Sequence, residues 1–479
     1  MNSDIKIQPL KFMFMDYWPY EKIVDLSRVT PGTVRYTGNP ILRAEMPHEL
    51  DRIHLYGTVL RDPSDGLIKM WYSCHGNECK VSRMALAVSQ DGYNFKRPDF
   101  DVLPGTNAVM DTDMYVHGPS LIYDEYECDD RRRFKLLMRP YDGKGHINGY
   151  ISANGINWES LPENPLMPID SDSHIGLCFN PHIGCYQATI RANCIDRRVW
   201  TIVSRDFIHW DAPRLVLEPR IDEDVQTQFY SMQISTYGPY IMGWISMFYT
   251  NGDDMRFEKM DGSMDVQTAF SRDGFFYHRV DMDNHLIRAG GNKGTFDSIQ
   301  IRPSSAPVLF DDKILFYYVG HCKQHDSPPP HTEAGIGVAE LRPDGFAGLR
   351  AGETTGVIVT RPFSVDLPGI ILNADMPLGE CRLSVCLEDG SVIDGFSREN
   401  CIPMTEDSIR HRVRFMGNPD EKSYANIPIR LKIYLKRGIL YSVTMANGHK
   451  EPDYWDFREI KCLKPDLDIQ TKSKRVLNK

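Results

Sequence analysis

Five stretches of this sequence place a carboxylate just ahead of a run of β-forming residues. Asp51 precedes "RIHLYGT", Asp111 and Asp113 flank the start of "MYVHGPS", and Asp170 and Asp172 precede "SHIGLCF". Asp222, Glu223 and Asp224 precede "VQTQFYSM", and Asp297 precedes "SIQIRPS". Any one of these acids could simply cap a turn. Repeated five times at equivalent places, they suggest convergence. Crowded carboxylates push some pKa values up and leave others low, so one site can hold both a protonated acid and an ionised base. Cleavage of a glycosidic bond needs such a pair, one group protonating the leaving oxygen and the other attacking or activating water. A bound Ca²⁺-like cation would draw on the same carboxylates, with His54, His117, His174 and His331 as further ligands.

Other residues could complete a pocket. Arg139, Arg191 and Arg302 interrupt apolar runs, and a buried arginine needs a partner. They read either as structural ion pairs or as clamps on substrate hydroxyls or a carboxylate. Gln226, Gln228 and His117 could read hydroxyls. Trp71, Tyr141, Trp244 and Tyr318 could stack on a sugar face or belong to the core. Glu333 and Glu258 stand in loop-like stretches from which a general acid could reach in. No phosphate-binding Gly-rich loop, His-Glu-x-x-His or Gly-x-Ser-x-Gly elbow is present.

The elements that would hold these groups are strands. A box of Ser, any residue, Asp or Asn, usually Gly, then an aromatic recurs as "SQDGYNF", "SANGINW", "SRDFIHW" and "SRDGFFY", with a looser fifth copy in "LRPDGFAGL". Asp/Asn-Gly is tight-turn chemistry. Each box ends a third strand, after a first such as "LYGTVLRD" and an apolar second such as "IKMWYSCHG"; a fourth, short strand follows. Five copies at this spacing predict a five-bladed β-propeller. The first strand of each blade is innermost, so the acids would meet at one mouth of the channel. After about Gly352 the boxes stop and the pattern alternates as in a β-sandwich. The expected organisation is all-β: a propeller over 1–354 with a lead-in to about 40, a sandwich over 355–462, and a basic, poorly ordered tail over 463–479.

The chain of 479 residues is long enough for more than one domain. Its net charge of −10 argues against nucleic acid as the main partner, and no apolar run is long enough for a membrane helix. Eleven scattered cysteines, an odd number, read as reduced thiols of a cytoplasmic protein. "CHGNEC" lacks the second pair of a zinc pattern. No cofactor is required by this reading, although a structural divalent cation in the channel is compatible with it, as is a homo-oligomer.

Together these features resemble the five-bladed propeller glycosidases, the invertase, levanase and arabinanase group of glycoside hydrolase families 32 and 43 and their relatives. "GLIKMWYS", "SQDGYNF", "DVQTQFYSM" and "GFSRENCIPMTEDSIRHRVRF" look most like a poorly characterised bacterial branch described as glycosidase-like. The resemblance covers roughly residues 40 to 450 and implies three acids: a base or nucleophile from the first blade, a stabilising Asp from a middle blade, and a Glu acid. Asp51 stands where the first would be, without the Asn-Asp-Pro-Asn-Gly surround. Asp113 or Asp172 would be the stabiliser, without Arg-Asp-Pro; Arg61-Asp62-Pro63 follows the first strand and reads as a turn. No Glu-Cys acid motif occurs in the third blade. The expectation is a glycoside hydrolase acting on a small oligosaccharide, a fructo- or arabinofuranoside being one candidate. Its catalytic set is drawn from Asp51, Asp113, Asp172, Asp224, Asp297 and Glu333. The rivals are a glycoside phosphorylase, which would keep one acid and need a cationic pocket, and a carbohydrate-binding protein without catalysis.

Overall fold

The computed structural model describes residues 10–76, 81–112, 116–192, 197–224, 226–250, 261–290, 294–310, 312–325, 327, 332–366 and 368–445. Among them the regular elements are strands and a few single 3₁₀ turns.

The middle strands of the first region are buried on both faces. Ile68–Gly76, Phe134–Pro140 and Tyr240–Thr250 are almost continuously apolar and almost wholly enclosed, as sheets stacked face to face require. Each follows a first strand and precedes a third in an antiparallel meander. The second unit runs Val116–Tyr123, Phe134–Pro140, Asn148–Ser152, Glu159–Ser160. The third runs Gly176–Asn180, Cys185–Ile190, Val199–Ser204, Arg214–Leu217, and the fourth Thr227–Tyr237, Tyr240–Thr250, Gly262–Ser271, His278–Arg279. In the first and fifth units the first strand is split, into Arg52–His54 plus Val59–Arg61 and Gln300–Pro303 plus Val308–Phe310.

Consecutive units touch through their first strands. Leu121 N–H donates to Thr58 Oγ1 (3.0 Å) and Gln233 Nε2 to His174 O (3.1 Å), whereas the fourth and fifth units meet through the third strand of the fourth, where Met264 pairs with Gln300. Ser305 N–H then donates to Gly57 O (3.0 Å), carrying the fifth unit back to the first. At Gly118 the approach is so close that a Cβ would lie 2.2 Å from Ser173 O, with φ at +63°. Only glycine fits there.

The boxes form one recurrent turn. The hydroxyls of Ser89, Ser152 and Ser271 accept the N–H of Gly92, Gly155 and Gly274. Asp91, Asn154, Asp206 and Asp273 each accept the N–H groups two and three residues on. The backbone of the turn then receives a donor from a different unit. Trp71 Nε1 donates to Gly155 O (2.7 Å), Gln187 Nε2 to Gly274 O (2.5 Å) and Tyr317 OH to Gly92 O (2.8 Å). Trp71 is therefore a core residue rather than a sugar platform.

The fifth copy departs from the pattern. Asp344, not a glycine, takes the left-handed conformation (φ 59°). Its carboxylate is fully buried, accepting from Lys11 Nζ (2.9 Å), Tyr237 OH (2.8 Å) and Ser442 Oγ (2.6 Å). The strand after this turn, Gly348–Ala351, pairs with Gly438–Met445 instead of completing the fifth unit. Val34–Arg35 takes the vacant edge, pairing with Gly335–Leu341.

The C-terminal region contains two sheets around one core. One holds Ser27–Val29, Gly348–Ala351, Gly438–Met445, Ile370–Asp375 and Asp407–Arg412, with Lys11–Met13 on Gly438–Met445. The other holds Tyr20–Val24, Gly356–Thr360, Ile429–Lys436 and Glu380–Leu387. Ile429, Leu431, Ile433 and Leu435 alternate inward along one strand, which is the period-two pattern read from the sequence. The lead-in thus divides its strands. Lys11–Met13, Tyr20–Val24 and Ser27–Val29 join the C-terminal sheets and only Val34–Arg35 joins the units, because pairing partners are chosen across the chain and not along it.

Candidate active site

The first strands bring histidines, tyrosines and arginines together where the acids were expected. His54 and Tyr56 come from the first unit, His117 from the second, His174 from the third, Tyr230 and Gln228 from the fourth, and Gln300 and Arg302 from the fifth. The rings interlock: Tyr56 lies 4.1 Å from His54, 5.0 Å from His117 and 5.1 Å from His174 between centroids. Arg302 is buried, with Nη1 3.0 Å from His54 Nε2 and Nη2 donating to Gln300 Oε1 (2.5 Å). Its guanidinium stands 5.1 Å from the Tyr230 ring. Arg191 also stands over Tyr230 (4.9 Å) and donates to Tyr230 O (2.7 Å). Arg197 donates to Gln228 Oε1 (2.6 Å), so Gln228 orients an arginine. His325 Nε2 lies 3.0 Å from Tyr230 OH.

Of the expected acids within the described residues, Asp172 is the one whose contacts place it in this cluster. It receives Tyr141 OH (2.6 Å) and stands 3.7 Å from Arg191 Nη1 and 3.9 Å from His117 Nε2. Its side chain is 53% exposed, open to a ligand. Its neighbour Asp170 accepts Arg139 Nε at 2.5 Å, and Arg139 stacks 3.8 Å over the Tyr141 ring. Asp51 is exposed in the turn before Arg52–His54. Asp224 is exposed and accepts Gln226 N–H (2.9 Å), a local turn bond. Asp297 is buried, accepting Tyr318 OH (2.8 Å) and pairing with Arg35 Nε (2.8 Å). It thereby latches the strand that closes the fifth unit and occupies Tyr318. Glu333 is half-buried, 3.7 Å from Lys323 Nζ. Trp244 is a core residue, 1% exposed, packed on Phe316 and Phe346. Asp113, Glu258 and His331 lie outside the described residues.

The electrostatics follow from burial. Desolvation lowers His117 to about 4, despite Asp172, with Arg191, Arg139 and Arg302 adding to the effect. Burial likewise holds His174 and His325 at about 3, and His54 and His75 well below the usual imidazole range. These rings are neutral hydrogen-bonders at neutral pH, so the site's positive charge comes from its arginines. Burial acts to raise Asp172, but His117, Arg191, the Tyr141 hydroxyl and Arg139 outweigh it and hold the carboxyl at about 2. Two buried guanidinium nitrogens, Arg139 Nη1 and Arg191 Nε, have no hydrogen-bond partner among the described residues. Such donors are costly to leave unmet and suit an incoming anion or polyol. Among the described residues no group of three or more His, Cys, Asp or Glu is arranged to hold a metal ion.

Tyr56, Arg197, Tyr230, Gln300 and His325 were not singled out by the sequence reading, nor were His75 and His321, whose rings lie 6.2 and 5.6 Å from that of His54. A signal existed for part of the cluster. A histidine stands one to three residues before a glycine in "HLYG", "VHG" and "HIG", at the start of three successive first strands.

No family model matches the chain, and no curated protein does. Solved structures with some likeness include a β-1,2-mannobiose phosphorylase from Listeria innocua (11% identity, 65% of this chain and 96% of that one, TM-score 0.45). A glycosyl hydrolase from Bacteroides ovatus has 16% identity over 66% of this chain and 94% of that one, TM-score 0.42. An N-acetylgalactosamine deacetylase from F. plautii has 13% identity over 67% and 97%, TM-score 0.44.

Proposed function

We propose that the five units are the blades of a β-propeller followed by a β-sandwich, and that the chain is a carbohydrate-active enzyme working at the Asp172 mouth. Of the two catalytic readings, transfer of a glycosyl group to inorganic phosphate fits the site better than hydrolysis. The observation that carries this is the composition of the mouth. Asp172, half exposed, sits against Arg191 with Arg139 close by, and Arg197 and Arg302 lie around the adjoining Tyr230. Hydrolysis needs a second carboxyl free to activate water, and the one beside Asp172 among the described residues, Asp170, is engaged by Arg139; phosphate brings its own nucleophilic oxygen and needs cationic groups to hold it.

In this reading a phosphate oxygen attacks the anomeric carbon as the glycosidic C–O bond breaks. The leaving oxygen takes a proton from the Asp172 carboxyl, directly or through the Tyr141 hydroxyl. A bound phosphate would raise Asp172 from its low resting value, because it sets a like charge against the carboxylate and occupies the arginines that depress it. Tyr141, exposed at the mouth, offers the sugar the ring face that Arg139 leaves uncovered. The reading requires no cofactor.

The test is incubation of the purified protein with nitrophenyl furanosides and pyranosides and with fructo-, arabino- and manno-oligosaccharides, with and without phosphate. A sugar phosphate formed only when phosphate is present supports the reading. Free sugar released without phosphate makes the protein a hydrolase. Thermal stabilisation by a sugar with no turnover makes it a binding protein.

A further inference from the structure

The opposite end of the channel holds a cavity of about 270 Å³ where the other ends of the first strands meet. Its floor is buried and apolar, built from Leu121, Leu177, Cys178 and Ile234, with Thr58 and Ser305 among them. Tyr126 and Phe179 form an aromatic pair in its wall, centroids 4.7 Å apart.

The polar groups of the lining are mostly engaged. Thr58 Oγ1 donates to Leu121 O and accepts Leu121 N–H. Ser305 Oγ donates to Gly57 O and contacts Ser120 Oγ at 2.8 Å. Asp124 is held by Lys135 Nζ (2.9 Å) and Tyr186 OH (2.5 Å). Arg61 and Glu125, of opposite sign, are both exposed. Ser235 Oγ is buried and has no hydrogen-bond partner among the described residues.

We propose that this cavity is a second binding site, for a compact uncharged ligand with one apolar ring and one polar group, of the phenol, aryl alcohol or indole class. Size and polarity select that class. An apolar cavity of about 150 Å³ accepts a benzene ring, so this one takes a ring with a substituent. A sugar presents several hydroxyls, and each one buried without a partner costs about 1–3 kcal/mol. Ser235 Oγ is the buried hydroxyl of the lining without a partner among the described residues, and the exposed Arg61 and Glu125 oppose each other in sign. The inference concerns the end opposite Asp172 and stands whether or not that mouth transfers glycosyl groups.

The two ends share a contact: Ser305 Oγ lies 3.3 Å from His174 Nε2. The full chain is titrated with phenol, benzyl alcohol and indole, and with methyl glucoside for comparison, by calorimetry and by the histidine ring signals in NMR. Saturable binding of at least one aromatic probe is expected, with a shift of the His174 signal and no binding of the glucoside. Ser235→Ala should weaken binding about five- to tenfold, the loss of one hydrogen bond. Ile122→Trp, on the half-exposed wall, should block binding while thermal unfolding stays near wild type. Absence of saturation by all three aromatics, tighter binding of the glucoside, or binding unchanged in both variants would overturn the proposal.

Discussion

Asp91, Asn154, Asp206 and Asp273 close four units and do one job, each binding the same backbone N–H groups of its own turn. Asp51, Asp172, Asp224 and Asp297 open units at matching places in the sequence, and they do different jobs. Asp224 caps a turn, Asp297 latches a strand from the N-terminal segment, and Asp172 faces the arginines. The side chain of the closing turn finds its N–H donors within six residues, so each copy repeats the same bonds. An opening acid takes whatever the neighbouring units set beside it. Similar spacing therefore means similar structure where the partners are local, and promises little where they are remote.

That contrast can be broken or sharpened by substitution. The largest effect is expected at Asp344, the closing turn whose partners are remote. Asp344→Ala removes the buried acceptor shared by Lys11, Tyr237 and Ser442 and should cost about 3–5 kcal/mol of stability in denaturant unfolding. A loss below about 1 kcal/mol would mean that this carboxylate couples the two regions only weakly. Burial acts to raise the Asp344 pKa, but Lys11, Ser442 and Tyr237 outweigh it and lower the folded value. This contribution is therefore present above the unfolded carboxylate pKa and is lost as pH falls through that value toward the folded one. The wild type should destabilise on acidification more steeply than Asp344→Asn.

Next comes Asp172. Asp172→Asn should lower turnover at least about a hundredfold, equivalent to about 2.7 kcal/mol, with a midpoint of unfolding close to wild type. Asp224→Asn, made in parallel, should keep wild-type turnover. Equal losses in both would restore the idea of converging acids. Because Asp172 must carry a proton to act and rests at about 2 in the free enzyme, kcat/KM should fall as pH rises between about 5 and 8.

Asp297→Asn should act on stability rather than on chemistry. Removing the charge opposite Arg35 and the acceptor of Tyr318 should cost about 1–3 kcal/mol, while KM changes little. The smallest effect is expected where all partners are local. Asp273→Ala removes bonds to Phe275 and Phe276 N–H and should cost about 1 kcal/mol with unaltered turnover, read by thermal unfolding beside a substrate assay.

The cavity lined by Leu121 and Leu177 adds a second contrast. The first strand that carries His117 toward Asp172, and the one that follows directly on His174, carry Leu121 and Leu177 into an apolar cavity a few residues later. Along a strand the side chains change company every residue or two, so one strand can serve two unlike sites.

The all-β character, the repeated turn and the alternating strands near the C-terminus could be read from the sequence alone, because each rests on residues a few positions apart. Ser-x-Asp-Gly closes its own bonds, and Ile429, Leu431, Ile433 and Leu435 announce an inward face by their period. Arg191 and Arg302 were recognisable as interruptions of apolar runs, and both stand at the cluster. Tertiary structure decided the rest. Trp71 and Trp244 became core because neighbouring units cover them, and Asp297 was claimed by Arg35, 262 positions earlier in the chain. Asp172 kept its exposure because its neighbours at the mouth are arginines and neutral histidines gathered from several units. A carboxylate's partners are set by Coulomb attraction and burial in three dimensions, and neither is written in the spacing of residues along one strand.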